Sequence, residues 1–379
     1  MTIETILQLP AGKLHLQRFP VRRKETLQAW DSADQLALEL LSEDKPAKRI
    51  LVLNDSFGAI SCGLAQAWPD AQITLWSDSY LAAQALAHNA ELNKLPSIEF
   101  VDAVATPQGP FDLVLMRLPK SNSLLRDQVA RFLPQLQSTA KVVIPTMIKH
   151  LDSSLYELLT RLLGPLVASR AKKKARLLSA NPESQKGAGN TGDNAKPTIN
   201  SWHYEDIKLS HYSGVYGRKH LDEGSHFFLQ NWPKGDYARI VDLGCGNGVL
   251  SIQAAKTWSQ AKVLGVDESF MAVASATINA AQNAVADTCS FQVGNCLAEL
   301  EADSADLVLC NPPFHQQRVV GDHLAMAMFA DAARVLDEQG ELWVVGNRHL
   351  GYHAKLKRWF GQVEQQGKHA KFVVLRCRK

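Results

Sequence analysis

Arg239-Ile240-Val241-Asp242-Leu243-Gly244-Cys245-Gly246-Asn247-Gly248-Val249-Leu250-Ser251 is a short apolar run broken by three alternate glycines, after which the chain turns apolar again. A run of this length, stopped by glycine, reads as a buried strand, and Val249 to Trp258 as the helix that follows it. Glycine at every second position lets the backbone turn sharply and lets a ligand approach where a Cβ would stand. The spacing is GxGxG with an acid two residues upstream. It is not the GxGxxG of dinucleotide sites, and no Lys-Ser/Thr follows as in a phosphate-cradling P-loop. The loop therefore suits a cofactor that lacks a pyrophosphate, and the strand–loop–helix frame makes the fold α/β with a parallel sheet.

Three more strand ends follow downstream. Lys262 to Val266 stops at Asp267-Glu268, where a carboxylate can accept two ribose hydroxyls. Ser290 to Val293 stops at Gly294-Asn295-Cys296, which sets an amide where an adenine edge would lie. Asp306 to Cys310 stops at Asn311-Pro312-Pro313-Phe314-His315. The two prolines end the strand and hold Asn311 extended at its tip. That tip offers an amide oxygen, backbone carbonyls and an aromatic face, the set that an exocyclic base amine requires. Taken singly, each feature has a packing explanation: Asp267 as the cap of the helix from Ser269 to Gln282, Asn295 as a turn residue, Asn311 as a proline-turn residue. All four at consecutive strand ends are a ligand site.

The same alternation occurs earlier in the chain. Arg49-Ile50-Leu51-Val52-Leu53-Asn54-Asp55-Ser56-Phe57-Gly58-Ala59-Ile60-Ser61 aligns with Arg239 to Ser251. Asp78 pairs with Asp267, Ser79 to Ala82 with Ser269 to Ala272, Asn89-Ala90 with Asn279-Ala280, and Asp112 to Leu115 with Asp306 to Leu309. A long-period self-match implies a duplicated domain. Between the copies, Asn181 to Asn200 is Pro, Gly, Ser, Asn, Lys and Asp with little that is large and apolar, so it reads as a linker. The expected organisation is a domain over 1–180, a linker over 181–200 and a domain over 201–379.

Composition excludes several classes. The 379 residues carry 21% charged and 46% hydrophobic side chains, as in an ordinary globular protein. The six cysteines form no CxxC pair and the histidines do not cluster, which argues against zinc or a disulfide framework and for a reducing cytoplasm. Neither a leader pattern nor a membrane-length apolar run is evident. The net charge is only +3, but Gly351 to Lys379 holds 8 Lys or Arg against one acid. Ser169 to Leu178 holds Arg170, Lys172, Lys173, Lys174 and Arg176 with none. Patches of this kind suit a phosphate backbone or form solvated faces.

These residues resemble the class I S-adenosylmethionine-dependent methyltransferases. Within them, the chain is similar to the bacterial ribosomal RNA guanine-N2 methyltransferases, which join two such Rossmann-like domains with mixed seven-stranded sheets, the first degenerate. Beyond Asn311-Pro312-Pro313-Phe314-His315, the likeness rests on Gly214-Val215-Tyr216 through Leu221-Asp222-Glu223-Gly224, Leu16 to Pro20, Asn54 to Gly58, Asn347-Arg348-His349-Leu350 and Lys371 to Leu375. It implies S-adenosylmethionine on Asp242, Gly244, Cys245, Gly246, Asn247, Gly248, Asp267, Glu268, Asn295 and Asn311. It further implies that Asn311 and the Pro312 carbonyl take the two N2 hydrogens while Phe314 stacks on a flipped guanine. Unstacking the base costs a few kcal/mol, of which stacking returns roughly 1–3 kcal/mol. Tyr216, Arg218 and His315 are candidate borders of the base pocket. The overall likeness favours 23S over 16S rRNA as substrate, with the protein a monomer.

In the first copy, Asn54 to Gly58 keeps one glycine of three, Phe57 crowds the loop, and Arg117-Leu118-Pro119-Lys120 stands where Asn311 to Phe314 stands in the second. The expectation is a domain that lost its cofactor and holds RNA, with Arg117, Lys120, Lys172, Lys173, Lys174 and Arg176 as phosphate contacts. A protein-glutamine methyltransferase, which also acts on a planar amide NH2, and a non-enzymatic rRNA-binding assembly factor are the competing readings.

Overall fold

The structure is a computed structural model, and it describes residues 4–22, 25–182, 197–216, 220–313, 318–367 and 369–379. The chain divides into two compact units, Met1–Thr198 and Ile199–Lys379. Most of the stretch read as a linker, together with Phe314, His315 and Arg218, lies outside the described residues.

The first unit opens with a hairpin, β1 (Ile6–Leu9) and β2 (Gly12–His15), followed by α1 (Ser32–Leu41). Then come β3 (Arg49–Leu53), α2 (Ala59–Ala67), β4 (Gln72–Ser77), α3 (Tyr80–Leu92), β5 (Glu99–Asp102), β6 (Phe111–Met116) and α4 (Asn122–Phe132). It closes with β7 (Leu136–Met147), α5 (Ser153–Leu163), β8 (Val167–Ala168) and β9 (Ala175–Ala180). Asp31 caps α1, its carboxylate accepting from the Ala33 and Asp34 amides, and Asp34 returns a bond to the Asp31 amide.

The second unit repeats this plan. A hairpin, β10 (Ile199–Tyr204) and β11 (Ile207–Tyr212), precedes α6 (Glu223–Gln230), β12 (Arg239–Leu243), α7 (Val249–Thr257), β13 (Lys262–Asp267) and α8 (Phe270–Gln282). After these come β14 (Cys289–Val293), β15 (Ala305–Cys310), α9 (Arg318–Val335), β16 (Leu336–Asn347), α10 (Tyr352–Leu356), β17 (Gln362–Gln366) and β18 (Phe372–Arg378). The sheet order is β14-β13-β12-β15-β16-β18-β17 in the second unit and β5-β4-β3-β6-β7-β9-β8 in the first. In each, five strands run parallel and the last two pairings are antiparallel.

The order reverses between β12 and β15, so their connections leave in opposite directions and a crevice opens at their carboxyl ends. Leu243 and Cys310 face each other in register there, so the glycine loop and Asn311 emerge side by side. Side chains alternate across the sheet. Ile240, Leu307, Leu309, Trp343 and Val345 pack on one face with Phe227 and Phe228 of α6, while Val241, Val308, Cys310 and Val344 pack on the other. Continued by that alternation, Asp242, Asn311 and Asn347 belong to the α6 face.

The basic C-terminal stretch is largely not a free cationic face. It contains β18, a buried strand paired on both sides. The nearly buried Glu341 carboxylate there accepts from Arg376, Arg378, the Trp343 indole and the Tyr237 hydroxyl. Lys371 pairs with Glu223 and Lys379 with Asp303.

Candidate active site

All three loop glycines adopt left-handed backbone, with φ of +76° at Gly244, +54° at Gly246 and +80° at Gly248. Their surroundings differ. A Cβ on Gly248 would come within 2.9 Å of Ala276, so that glycine lets α8 close on the loop, whereas a Cβ on Gly246 would meet nothing within 4 Å. The open side of Gly246 is where a cofactor backbone has room. The Gly244 and Cys245 amides both donate to the Val266 carbonyl, which ties the loop to β13. Cys245 is buried, and desolvation pushes its thiol well above the ordinary range, so it serves as packing.

Asp242 is buried one residue before the end of β12. Its Oδ2 accepts from the Ser251 amide at 3.0 Å and the Ser251 hydroxyl at 2.6 Å, while its Oδ1 has no partner among the described residues. Burial pushes this carboxyl up to about 7, against the two Ser251 bonds and with some help from the charge of Asp267. Asp267, half-buried at the end of β13, accepts from the Gly246 amide at 2.9 Å and the Ser269 amide at 3.0 Å. Burial raises its pKa, against the bonds from the Ser269, Gly246 and Glu268 amides. Glu268 is exposed and Asn295 half-buried, the latter at the tip of β14.

Asn311 sits at the tip of β15. Its Nδ2 donates to Ser225 Oγ of α6 at 2.8 Å, and Asp222 caps that helix by accepting the Ser225 amide. Its Oδ1 is buried and has no partner among the described residues. A buried acceptor without a donor is costly, and the Ser225 bond leaves this oxygen to take the hydrogen of something that binds. Pro312 is buried and Pro313 exposed. Tyr216 is exposed, with its phenol pushed up by partial burial and by Asp222 and Glu223, which sets it at the N-terminal end of α6.

Residues 206–376 match the "methyltransferase small domain" family model, and residues 4–184 match the "RLMG N-terminal domain" model. A relative from Stutzerimonas stutzeri, ribosomal RNA large subunit methyltransferase G, is 46% identical over 379 residues, 99% of each chain. Its namesake from Photobacterium profundum is 43% identical over 97% of this chain and 98% of its own. This chain belongs to the ribosomal RNA large subunit methyltransferase G family. Among solved structures, the T. thermophilus 16S rRNA N2 G1207 methyltransferase, in complex with AdoMet and guanosine, superposes with a TM-score of 0.77 over 99% of this chain and 97% of that one, at 22% identity. That likeness carries the tandem two-domain fold.

In this family member the first unit has the same strand ends with their acceptors filled. Asp55 stands three residues after the position of Asp242, yet bonds the equivalent serine. Its Oδ2 accepts from the Ser61 amide and hydroxyl, both at 2.9 Å, and its Oδ1 from the Ala59 amide at 3.0 Å. Asn54, at φ +58° in the place of Gly244, exchanges amide bonds of 3.0 Å with Gln128. Arg117, at the position of Asn311, is not a free phosphate contact. Its guanidinium is bound by Asp31 at 2.7 Å and Asp34 at 3.1 Å. Although burial works the other way, Arg117 holds the Asp31 carboxyl below its usual range, while burial pushes Asp34 up to about 7. Lys172 pairs with Glu39, Lys173 reaches Gln35, and Arg176 is half-buried; Lys120 and Lys174 are exposed. The pairing of Asp267 with Asp78 is off by one. Ser79 and Ser269 cap equivalent helices, and the ladders put Ser77 at the place of Asp267.

Two asparagine clamps escaped the sequence reading of function. Asn279 accepts from the Ser210 amide and donates to the Ser210 and Asn247 carbonyls, tying the β10–β11 hairpin to the glycine loop. Asn89 makes the same three bonds to Gln17 and Phe57. One turn on, Asn283 and Asn93 hold Lys208 and His15 in the same way. The recurrence of Asn at matched positions was the available signal.

Proposed function

We propose that the second unit transfers a methyl group from S-adenosylmethionine to the exocyclic N2 of a guanosine in large-subunit, 23S, ribosomal RNA. The observation that carries the chemistry is the buried Asn311 Oδ1, which has no partner among the described residues and is fixed by Ser225 beside a glycine loop at the switch point of the sheet. The loop, the free side of Gly246, the orphan oxygen of Asp242 and the Asp267 carboxylate fit S-adenosylmethionine, with Glu268 and Asn295 on its nucleoside side. When bound, that cofactor supplies an electrophilic methyl on sulfur.

Asn311 Oδ1 accepts one N2 hydrogen and the Pro312 carbonyl the other, which turns the nitrogen lone pair away from the ring and towards the methyl. As the N–C bond forms and the C–S bond breaks, with a neutral thioether as the leaving group, the nitrogen would gain positive charge that the two acceptor oxygens stabilise. One N2 proton then leaves to solvent, so the site needs orientation more than a strong base. In this proposal stacking on the extruded base falls to Phe314 and the borders of its pocket to Tyr216, Arg218 and His315, of which Tyr216 alone is among the described residues.

The first unit supports and helps to hold RNA through Lys120, Lys173 and Lys174, three exposed cations of the expected contacts that show no acid partner among the described residues. An rRNA substrate places the reaction in the cytoplasm, and the proposed working form is a monomer. Separately, among the described residues no helix is long and apolar enough to cross a membrane. Labelled-methyl transfer to purified 23S and 16S rRNA, with the product nucleoside identified, tests the reading. N2-methylguanosine in 23S rRNA is expected, and label confined to 16S rRNA or to protein glutamine would overturn it.

A further inference from the structure

Asn347 closes β16, the strand next to β15 on the side away from β12, β13 and β14. It is 7% exposed, and its Oδ1 has no partner among the described residues. The side chain shares the α6 face of the sheet with Asn311. On the other face, Gly346 leaves room for the Tyr352 ring, since a Cβ there would come within 2.5 Å of it. Cys310 pairs with Val344, which sets Asn311 level with Val345 and Asn347 two residues further on. Strand spacing of ~4.8 Å and a rise of ~3.3 Å per residue put the two asparagine Cα atoms about 8 Å apart. The first unit has Met147, which offers no amide, at the end of the matching strand.

Two buried acceptor oxygens on one face of adjacent strand ends are more than Asn311 needs for a single amine. The cofactor residues lie at β12, β13 and β14, so an acceptor at β16 lies on the substrate side of Asn311. Guanine places two donors next to each other on one edge, the N2 amine and N1–H, whereas adenine has a bare N1 lone pair and no N2. We propose that Asn347 reads the target base, its Oδ1 accepting the guanine N1–H while Asn311 holds the N2 amine. A base with a lone pair at N1 would meet the buried oxygen lone pair to lone pair and leave it unsatisfied. Asn347 is then a specificity residue. This assignment rests on the guanine-N2 reading of the reaction.

The test compares kcat/KM on an rRNA fragment that carries either guanine or 2,6-diaminopurine at the mapped target nucleotide. The second base keeps the N2 amine but has a lone pair at N1. Wild-type protein should prefer guanine by about tenfold or more. Asn347→Ala should bring the ratio close to one by slowing the guanine substrate, with S-adenosylmethionine affinity unchanged by calorimetry. Asn347→Asp, which keeps an acceptor in the same volume, should retain the preference. A wild-type ratio in Asn347→Ala would overturn the assignment, as would loss of the preference in a cofactor-binding Asn347→Asp. Should the alanine variant lose cofactor binding through misfolding, the aspartate variant decides alone. Wild-type protein that methylates no guanine N2 in rRNA refutes the reaction itself; wild-type methylation with an unchanged ratio in Asn347→Ala refutes only the role of Asn347.

Discussion

The two halves share a strand order, a hairpin and a set of asparagine clamps, and they differ in whether the polar groups at the carboxyl edges of their sheets are satisfied. At the carboxyl edge of the second sheet, Asp242, Asn311 and Asn347 each present a buried oxygen without a partner among the described residues. At the matching edge of the first, Asp55 is bonded through both oxygens, Asn54 is paired with Gln128, and Arg117 is held by two carboxylates. An unsatisfied buried acceptor costs stability, and three of them on one sheet edge are what the proposed ligand site would satisfy. In the first half the residues at that edge bond one another instead. The contrast locates the chemistry more sharply than any single motif does.

The largest effect should come from Asn311→Ala. Losing one positioned polar partner should slow single-turnover methyl transfer by about 10²–10³-fold, with cofactor affinity retained by calorimetry. Near-normal turnover would break the comparison at its centre. In the opposite half, Arg117→Ala should leave cofactor affinity alone but destabilise the first unit by up to about 3 kcal/mol, the low end for breaking a buried pair because the guanidinium is 24% exposed. Thermal melts at pH 8 should show most of this loss. At pH 5.5 it should shrink, since Asp34, with its carboxyl pushed up to about 7, can take a proton and shed its unpaired charge.

Asp242 gives a smaller effect that depends on pH. Its carboxyl titrates at about 7 in the folded chain, above the unfolded value, so the fold prefers the proton and this residue's stabilising contribution fades as pH rises towards 7. A ligand bearing an ammonium group prefers the ionised form. S-adenosylmethionine affinity should therefore rise by up to about tenfold between pH 6 and 8 and level off above 7, with proton release on binding below that point. Calorimetry in buffers of different ionisation enthalpy reads both, and Asp242→Asn should flatten the profile. The smallest effect is expected from the triple variant Lys120→Gln, Lys173→Gln, Lys174→Gln. It should weaken rRNA binding and lower the slope of log affinity against log salt by about 2–3, with cofactor binding unmoved. An unchanged slope would leave the first half a scaffold only.

Most of the sheet was legible because parallel strands covered on both faces are near-continuous apolar runs, and the glycine loop because its spacing has few other uses. The strand-end residues Asp267, Asn295 and Asn311 could be placed because each follows such a run. What escaped depends on pairing between distant parts of the chain. Nothing near Arg117 in sequence announces Asp31 and Asp34, and nothing near Arg376 or Arg378 announces Glu341, so both stretches read as free cations. Asn347 looked like part of a family signature because an Asn after an apolar run is an ordinary turn residue; only its burial without a partner sets it apart. The one-residue slip between Asp267 and Asp78 arose because two acids flank the same turn, and a period-2 ladder is needed to tell them apart.

The asparagine clamps give the molecule its own exchange reporter. The Ser210 amide in the second half and the Gln17 amide in the first are protected from solvent hydrogen exchange by an Asn carbonyl oxygen, and the same side chain grips the neighbouring loop. An amide held this way exchanges only when hairpin and loop part, so its rate measures the opening of the cofactor cradle. Adding S-adenosylmethionine should slow exchange at Ser210 and leave Gln17 as it was, with the silent half serving as the zero of the scale.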